Sequence, residues 1–93
     1  MADKQRLDKW LWFARVVKTR SLATRLVLDG HVRVNTQRIE TPAKLVGPGD
    51  VLTIALDSRI VVLRVSGIGA RRGPFSEARL LFEDLNPRGE AKS

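Results

Sequence analysis

The stretch from residue 9 to residue 35 constrains the fold of this chain more than any other, because it combines a helical pattern with charge of one sign. Between Asp8 and Asp29 the sequence has five basic residues and no acidic one. A solvated surface normally mixes both signs, since a field of one sign repels itself and weakens the compact state. We therefore predict that this basic run (residues 9–28) docks a polyanionic backbone and that the rest of the chain holds it rigid. The basic residues of the run are Lys9, Arg15, Lys18, Arg20 and Arg25.

Hydrophobic spacing predicts two helices within this stretch. The first begins at Arg6 and carries an apolar stripe with the period of an α-helix. The second is expected over residues 20–28, where Thr19 is a favourable N-cap and Gly30 can take the left-handed conformation that ends a helix. The stripe of the first helix consists of Leu7, Trp10, Leu11, Ala14 and Val17, and that of the second of Leu22, Ala23, Leu26 and Val27.

The start of the second helix is a predicted phosphate site. The first N–H groups of a helix have no acceptor within it and lie at the positive end of its dipole. Lys18 and Arg20 place two side-chain charges beside these donors. Dipole, donors and charge together favour a bound phosphate at this position.

The rest of the sequence predicts a small, mainly antiparallel sheet followed by a helix. Alternating apolar and polar side chains and a high β-branched content indicate the strands. Pro74 begins a third helical pattern, which ends near Asn86 and Pro87. We therefore predict an α+β fold in which two N-terminal helices pack on the sheet and a C-terminal helix follows. The expected strands cover residues 31–35, 37–39, 51–56 and 60–65.

These elements are expected to form one domain, residues 1–93, without an internal repeat. Its core module spans residues 6–56, the hairpin strand and the C-terminal helix follow over residues 57–85, and residues 86–93 form a frayed tail. A chain of 93 residues can bury one hydrophobic core but has little surface left for a deep substrate pocket.

Trp12 lies off the apolar stripe of the first helix, and a tryptophan on that face needs an explanation. It could be a platform on which an unpaired base stacks. It could also be covered by a later element, and the third helix is a plausible cover for both Trp12 and Val16. We favour the cover, because buried aromatic side chains outnumber aromatic side chains that read bases.

Composition excludes several classes of protein. Apolar residues make up 43% and charged residues 29% of the chain, which is typical of a folded domain and not of a disordered one. The absence of cysteine excludes disulfides and thiolate metal sites and fits a reducing compartment. The sequence has neither a membrane-length apolar run nor a signal-peptide pattern. A cytoplasmic location is therefore expected.

The net charge of +7 is concentrated in the N-terminal part of the chain. Residues 1–38 have nine basic and three acidic residues, whereas residues 39–93 have eight basic and seven acidic ones. Charge segregated in this way indicates a polyanionic partner, and RNA, DNA and an anionic membrane surface are the candidates.

The sequence contains no set of residues that predicts catalysis. His31 is the single histidine, and without cysteine it has no companions for a zinc site. The segment Gly67-Ile68-Gly69 lacks the strand, helix and lysine of a nucleotide-binding loop. We therefore expect neither an enzyme nor a cofactor, and no metal ligands.

Four segments together resemble the S4 domain, a small RNA-binding module named after a protein of the small ribosomal subunit. They are Arg6-Leu7-Asp8-Lys9-Trp10-Leu11-Trp12, Lys18-Thr19-Arg20-Ser21, Gly30-His31-Val32-Arg33-Val34-Asn35 and Gly49-Asp50. The first two make the chain most similar to the bacterial fifteen-kilodalton heat-shock proteins that associate with ribosomes. The resemblance is strong over residues 6–56 and weaker beyond them.

The resemblance implies a basic, L-shaped surface, built from two helices and the following strand, that grips structured RNA. It also implies binding to large ribosomal subunits, especially stalled ones that carry a nascent chain. Many family members have glycine where this chain has Thr36, so Asn35 is expected to take the positive φ angle. The heat-shock proteins also continue with a longer basic C-terminal extension.

We predict a monomeric RNA-binding module that recognises structured ribosomal RNA by shape and phosphate contact. A role in stress or in recycling stalled ribosomes is the finer expectation. The alternatives are a DNA-binding protein of the helix-turn-helix type and a membrane-surface or protein-interaction domain. The residues predicted to bind RNA are Lys9, Arg15, Lys18, Thr19, Arg20, Ser21, Arg25, Arg33, Asn35 and Arg38.

Overall fold

The structure, a computed structural model, describes residues 4–86 of the chain. The two longer helices follow each other near the N-terminus, and most of the strands come after them. In chain order the elements are β1 (Gln5–Arg6), α1 (Leu7–Phe13), α2 (Arg20–Leu28), β2 (Val32–Val34), β3 (Gln37–Ile39), β4 (Leu45–Val46), β5 (Val51–Ala55), β6 (Ile60–Val65), α3 (Phe75–Ala78), a 3₁₀ turn (Arg79–Leu81) and β7 (Phe82–Asp84).

Five of the strands form one antiparallel sheet in the order β3-β2-β5-β6-β7. In its central strands Val32 lies opposite Ile54, and Ile54 lies opposite Val61. These side chains are buried and point to the helices, whereas Arg33 points to the other face and is exposed. The predicted α+β fold with a mainly antiparallel sheet is confirmed.

The core lies between the helices and the inner face of the sheet. Trp10 is its largest side chain and is fully buried. Its indole N–H donates to the carbonyl of Gly67 at 2.8 Å, and its ring meets Phe82 edge-on at a centroid distance of 6.5 Å. A buried aromatic side chain of this kind contributes about 3–5 kcal/mol relative to alanine. Trp10 therefore ties α1 to the C-terminal half of the chain.

A short second sheet was not anticipated from the sequence. Gln5 of β1 pairs with Val46 of β4, and Arg6 pairs with Leu45. The Leu7 N–H then donates to the Lys44 carbonyl at 2.8 Å. Strands of two residues carry no periodic pattern, which explains why they were missed. The pairing fixes the start of α1 on the rest of the domain.

Helix α1 ends at Phe13, one turn before the predicted break at Val17. The N–H of Val16 donates to the Leu11 carbonyl at 3.0 Å, and the N–H of Arg15 donates to the Trp12 carbonyl at 3.1 Å. This pair of bonds is the Schellman motif that closes a helix C-terminus. Arg15 occupies its left-handed position with a φ angle of 62°. Apolar spacing could not show this end, because Val17 still packs against the core.

Helix α2 agrees with its predicted bounds and ends as expected. The N–H groups of Gly30 and His31 donate to the carbonyls of Val27 and Leu26, again as a Schellman motif. The predicted stripe is only partly buried, however, since Leu22 is 49% exposed.

The predicted C-terminal helix is present but much shorter than residues 74–85. Only Phe75–Ala78 is α-helical, and the 3₁₀ turn leads directly into β7. Phe82 pairs with Val65 in the register of the main sheet. Without β7, the backbone N–H and C=O groups at the edge of β6 would be unpaired. Residues 82–84 therefore pair with β6 as a strand and do not extend the helix. The frayed tail predicted for residues 86–93 lies, beyond Asn86, outside the described residues.

The turn between β2 and β3 has positive φ angles at two consecutive residues. Asn35 has a φ angle of 51°, as the sequence predicted, and Thr36 shares the conformation with a φ angle of 75°. Two such residues in a two-residue hairpin loop define a type I′ turn. A β-branched residue is unfavourable there, so Thr36 is a local point of strain.

No helix within residues 4–86 is long and apolar enough to cross a bilayer.

Candidate nucleic-acid interface

The start of α2 has the geometry that the sequence predicted. The Thr19 hydroxyl accepts a hydrogen bond from the Leu22 N–H at 3.1 Å, which makes Thr19 the N-cap. Within the described part of the chain, the N–H groups of Arg20 and Ser21 have no acceptor. Lys18 is exposed beside them. Two free backbone donors and an unshielded ammonium group therefore face solvent at the positive end of the helix.

A buried carboxylate organises the arginines around this helix start. Asp8 is only 2% exposed. Arg6 donates to it from two nitrogens at 3.1 and 3.0 Å, and the Nε of Arg20 lies 3.5 Å from its Oδ2. The Lys9 N–H and the Thr24 hydroxyl also donate to it, at 2.8 and 3.4 Å. One carboxylate in α1 thus fixes the direction of two guanidinium groups and joins α1 to α2.

The pKa of Asp8 is lowered from its ordinary value, although burial alone would raise it. The hydrogen bond from Arg6, the Lys9 N–H and the charges of Arg20 and Arg6 together outweigh the loss of hydration. Asp8 is therefore ionised at neutral pH. Arg6 and Arg20 stay 45% and 39% exposed, so their outer N–H groups remain accessible to a phosphate.

Arg6 was not among the predicted contact residues, yet the structure places it beside them. The sequence offered one indication of this contact, which is that Arg6 lies only two residues before Asp8. A lone Arg-x-Asp segment is too common to have singled it out. Only the burial of Asp8 shows that both of its arginine partners point to one region.

Two predicted contact residues have structural roles that compete with RNA binding. The Nε of Arg15 donates to the Gly73 carbonyl at 2.6 Å, so this side chain lies against the C-terminal segment. The side chain of Asn35 accepts from the Val51 N–H at 2.9 Å and donates to Asp50 at 3.0 Å. Asn35 therefore joins the β2–β3 turn to β5, and neither of its polar atoms is left free.

Arg33 and Arg38 form a second basic cluster on the outer face of the sheet. They lie directly opposite each other on β2 and β3. The Arg38 guanidinium fills the space that a Cβ atom on Gly30 would need, so it lies against the end of α2. Because α2 has nine residues, this cluster and the Lys18 region are separated by about 13 Å along the helix.

The remaining predicted contacts are unengaged side chains. No ion pair within residues 4–86 involves Lys9, Lys18 or Arg25, and the Ser21 side chain is exposed. Arg25 lines a groove of about 440 Å³ between α2 and the β5–β6 turn, across from Arg59. Arg59 is not among the residues that the sequence predicted to bind RNA.

Trp12 is half-buried, and its ring lies 5.3 Å from that of Phe13. The C-terminal segment packs on Phe13, which lies beside Gly69 and lines a groove with Leu81. The third helix as the cover of Trp12 stays a prediction. Val16 shares a groove with Phe75 and Phe82, in agreement with the expectation for Val16. The sequence did not predict that Phe13 is buried, because Phe13 lies outside the apolar stripe formed by Leu7, Trp10 and Leu11.

The family model of the S4 domain matches residues 5–52 of the chain. This segment contains α1, α2 and the first strands, and hence all ten predicted contact residues.

Curated relatives of two kinds are similar to the chain. Heat shock protein 15 of Escherichia coli is 46% identical over 85 residues, which cover 89% of this chain and 62% of that protein. The heat shock protein 15 homolog of Haemophilus influenzae is 36% identical, with 90% of this chain and 64% of the relative covered. The small ribosomal subunit protein uS4 of Aquifex aeolicus is 41% identical over 91% of this chain and 34% of its own length. The chain thus spans less than two thirds of the length of these relatives.

Among solved structures, one described as the trimeric structure of Vibrio cholerae heat shock protein 15 superimposes with a TM-score of 0.84. The two sequences are 36% identical, and the match covers 97% of this chain and 89% of the other. The likeness therefore extends beyond the S4 segment to the β5–β6 hairpin and the C-terminal elements.

Proposed function

Because the chain belongs to the S4 domain family, we propose that it binds structured RNA through the face formed by α1, the start of α2 and β2. Lys18 and the free N–H groups of Arg20 and Ser21 would contact phosphates. Arg6, Arg20, Lys9 and Arg25 would add positive charge around them. Phosphate contacts position a protein on RNA and carry no sequence information. Recognition by this face would follow the shape of a folded RNA.

The observation that carries this proposal is the buried Asp8 carboxylate. An isolated basic patch can be solvated decoration, but this patch holds a fully buried acid whose partners are arginines at its rim. Fixing long arginine side chains before binding reduces the conformational entropy lost when the RNA binds. The arrangement thus favours a preorganised phosphate-binding surface over generic surface charge.

The finer part of the proposal is the identity of the RNA. We infer that the target is ribosomal RNA and that the protein associates with the large ribosomal subunit, with a role in stress or in recycling stalled ribosomes. Support comes from the resemblance of residues 6–56 and from the names of the relatives, which are heat-shock and ribosomal proteins. A cytoplasmic location and action as a monomer belong to the same proposal.

The direct test measures binding of a folded ribosomal RNA fragment at several salt concentrations. Each of Lys18→Glu and Arg25→Glu should weaken binding at least about tenfold and reduce the salt slope by about one. Arg79→Glu is the matched control, because it makes the same charge change in the 3₁₀ turn, outside the proposed face. Equal affinity of all three variants would contradict the proposed face.

Arg20 is a poor site for charge reversal, although the sequence alone recommends it. A glutamate at this position would replace one of the two arginine partners of the buried Asp8 carboxylate with a second negative charge. Loss of RNA binding by such a variant would not separate binding from misfolding. Lys18 and Arg25 avoid this ambiguity, since neither is part of an ion pair within the described residues.

The ribosomal part of the proposal is tested by sedimentation of the tagged protein from cell lysate, before and after heat stress. Co-migration with free large subunits, lost at high salt, would support it. Protein at the top of every gradient would contradict it while leaving RNA binding as such intact. Stronger binding to duplex DNA than to RNA hairpins would instead favour the helix-turn-helix alternative.

A further inference from the structure

We propose that a pocket on the outer face of the sheet receives one unpaired nucleotide of the bound RNA, with its phosphate between Arg33 and Arg38. This inference rests on the proposed RNA-binding function and adds that the bound RNA contains an unpaired nucleotide. The pocket has a volume of about 200 Å³. It is lined by Gly30, His31, Arg33, Thr53, Ala55 and Ile60.

The first argument is the placement of two like charges opposite each other. Arg33 and Arg38 form a directly opposed cross-strand pair, an arrangement that destabilises a sheet. On the same face, near the other edge, Arg64 lies opposite Glu83, and the two form an ion pair of 2.7 Å. The sheet thus carries a complementary pair at one edge and a repulsive pair at the other. An anion between Arg33 and Arg38 would relieve the repulsion.

The present partners of the two arginines are easily exchanged for a phosphate. Arg33 donates to the Thr36 carbonyl at 3.3 Å. Arg38 forms an ion pair with Glu40, with its Nη2 atom 3.0 Å from the Oε2 atom of Glu40. Both members of the latter pair are more than half exposed, and such pairs contribute at most about 1 kcal/mol. A phosphate with two guanidinium partners would be held more strongly, because charge-assisted bidentate contacts are stronger than single exposed pairs.

The second argument is the apolar floor beside the arginines. Ile60 is 62% exposed and lies directly opposite Ala55 on the outer face. These two side chains offer a base an apolar surface, and Thr53, which also lines the pocket, carries a hydroxyl that can donate or accept a hydrogen bond. The pocket is smaller than one for a drug-sized ligand, which fits the face of a single base. A base can use such a surface only where it is unpaired and unstacked.

The third argument is the position of the pocket relative to the phosphate-binding face at the start of α2. Gly30 ends α2 and also lines the pocket, so both sites lie on one helix, about 13 Å apart along its axis. A duplex bound at the helix start could therefore extend a bulged or terminal nucleotide to the sheet. Proteins commonly bind single-stranded nucleotides with a basic groove and an aromatic side chain under the base, and here Ile60 and Ala55 would take the place of the aromatic side chain.

The test compares a fully paired RNA hairpin with the same hairpin carrying one bulged 4-thiouridine. The wild-type protein should bind the bulged RNA about tenfold more tightly. Ultraviolet cross-linking followed by mass spectrometry should place the 4-thiouridine on residues 53–60 or on residues 30–33. Cross-links confined to the helices, with equal affinity for the two hairpins, would overturn the inference but not the proposed function. Failure of the wild-type protein to bind either hairpin would overturn both.

Two variants separate binding from folding. Arg33→Thr removes the like-charge pair, so it should raise the melting temperature of the free protein and abolish the preference for the bulged hairpin. Ile60→Ala should abolish most of the preference, whereas Leu80→Ala, a matched change at another exposed apolar residue, should leave it intact. A normal preference in both Arg33→Thr and Ile60→Ala would overturn the inference.

Discussion

Thr36 offers a prediction whose sign and size both follow from one backbone angle. Its φ angle of 75° places a β-branched residue in the left-handed region, where an L-residue loses about 1–2 kcal/mol. Thr36→Gly removes this strain but makes the unfolded chain more flexible, which costs about 0.5–1 kcal/mol. The Thr36 carbonyl, which accepts from Arg33, is retained. We expect a net stabilisation of about 0.5–1 kcal/mol, or roughly 2–8 °C in melting temperature for a domain of this size.

The neighbouring residue provides the matched comparison. Asn35 also has a positive φ angle, but its side chain bonds to the Val51 N–H and to Asp50. Asn35→Gly should therefore destabilise the protein by about 1–2 kcal/mol, because two hydrogen bonds are lost for little relief of strain. Thermal and urea unfolding, followed by circular dichroism, measure both variants. A Thr36→Gly protein that melts below the wild type, or an Asn35→Gly protein that melts above it, would refute the assignment of strain to Thr36 and of support to Asn35.

Three further predictions concern charge and assembly. Asp8→Asn should lower the free energy of unfolding by about 2 kcal/mol, since Arg6 and Arg20 lose a charged acceptor; Asp57→Asn, an exposed control, should change it little in the same urea titration. The pKa values of Asp8 and Asp50 are lowered in the folded protein, so their stabilising contribution is complete above the unfolded pKa of about 3.9 and disappears as the pH falls through the folded values. Melting temperatures measured between neutral and strongly acidic pH should fall in that window, and the fall should shrink in Asp8→Asn. Light scattering after gel filtration should give the monomer mass of 10.4 kDa; three times that mass would instead match the trimer described for the Vibrio cholerae relative.

The structure also changes how the basic run is understood. Its residues differ in their availability, because some of them hold the fold together. Arg15 is bound to the Gly73 carbonyl and Arg20 to Asp8, whereas Lys18 and Arg25 are engaged by no ion pair in the described residues. Charge counting treats these four side chains as equivalent. A binding experiment based on them should begin with the two that have no structural partner.

Where the signal lies in a short segment, the sequence was enough to predict the secondary structure. Periodicity and an N-cap predicted α2 at residues 20–28, and a high β-branched content predicted β6 at Ile60–Val65. Gly30 ended α2 in a Schellman motif as predicted, because only the chain immediately around it sets its φ angle. The segregation of positive charge into residues 1–38 is likewise a property of the sequence and needs no coordinates.

Features that depend on distant parts of the chain became visible only in the folded protein. The segment at Phe82–Asp84 has a helical spacing but forms a strand, because the edge of β6 lies beside it with free backbone groups. The sequence places Asp8 in the first turn of a helix, where acidic residues are common. In the folded protein Asp8 is buried and forms ion pairs with Arg6 and Arg20. Local preferences fix the elements, whereas burial and backbone pairing between distant segments fix which side chains meet.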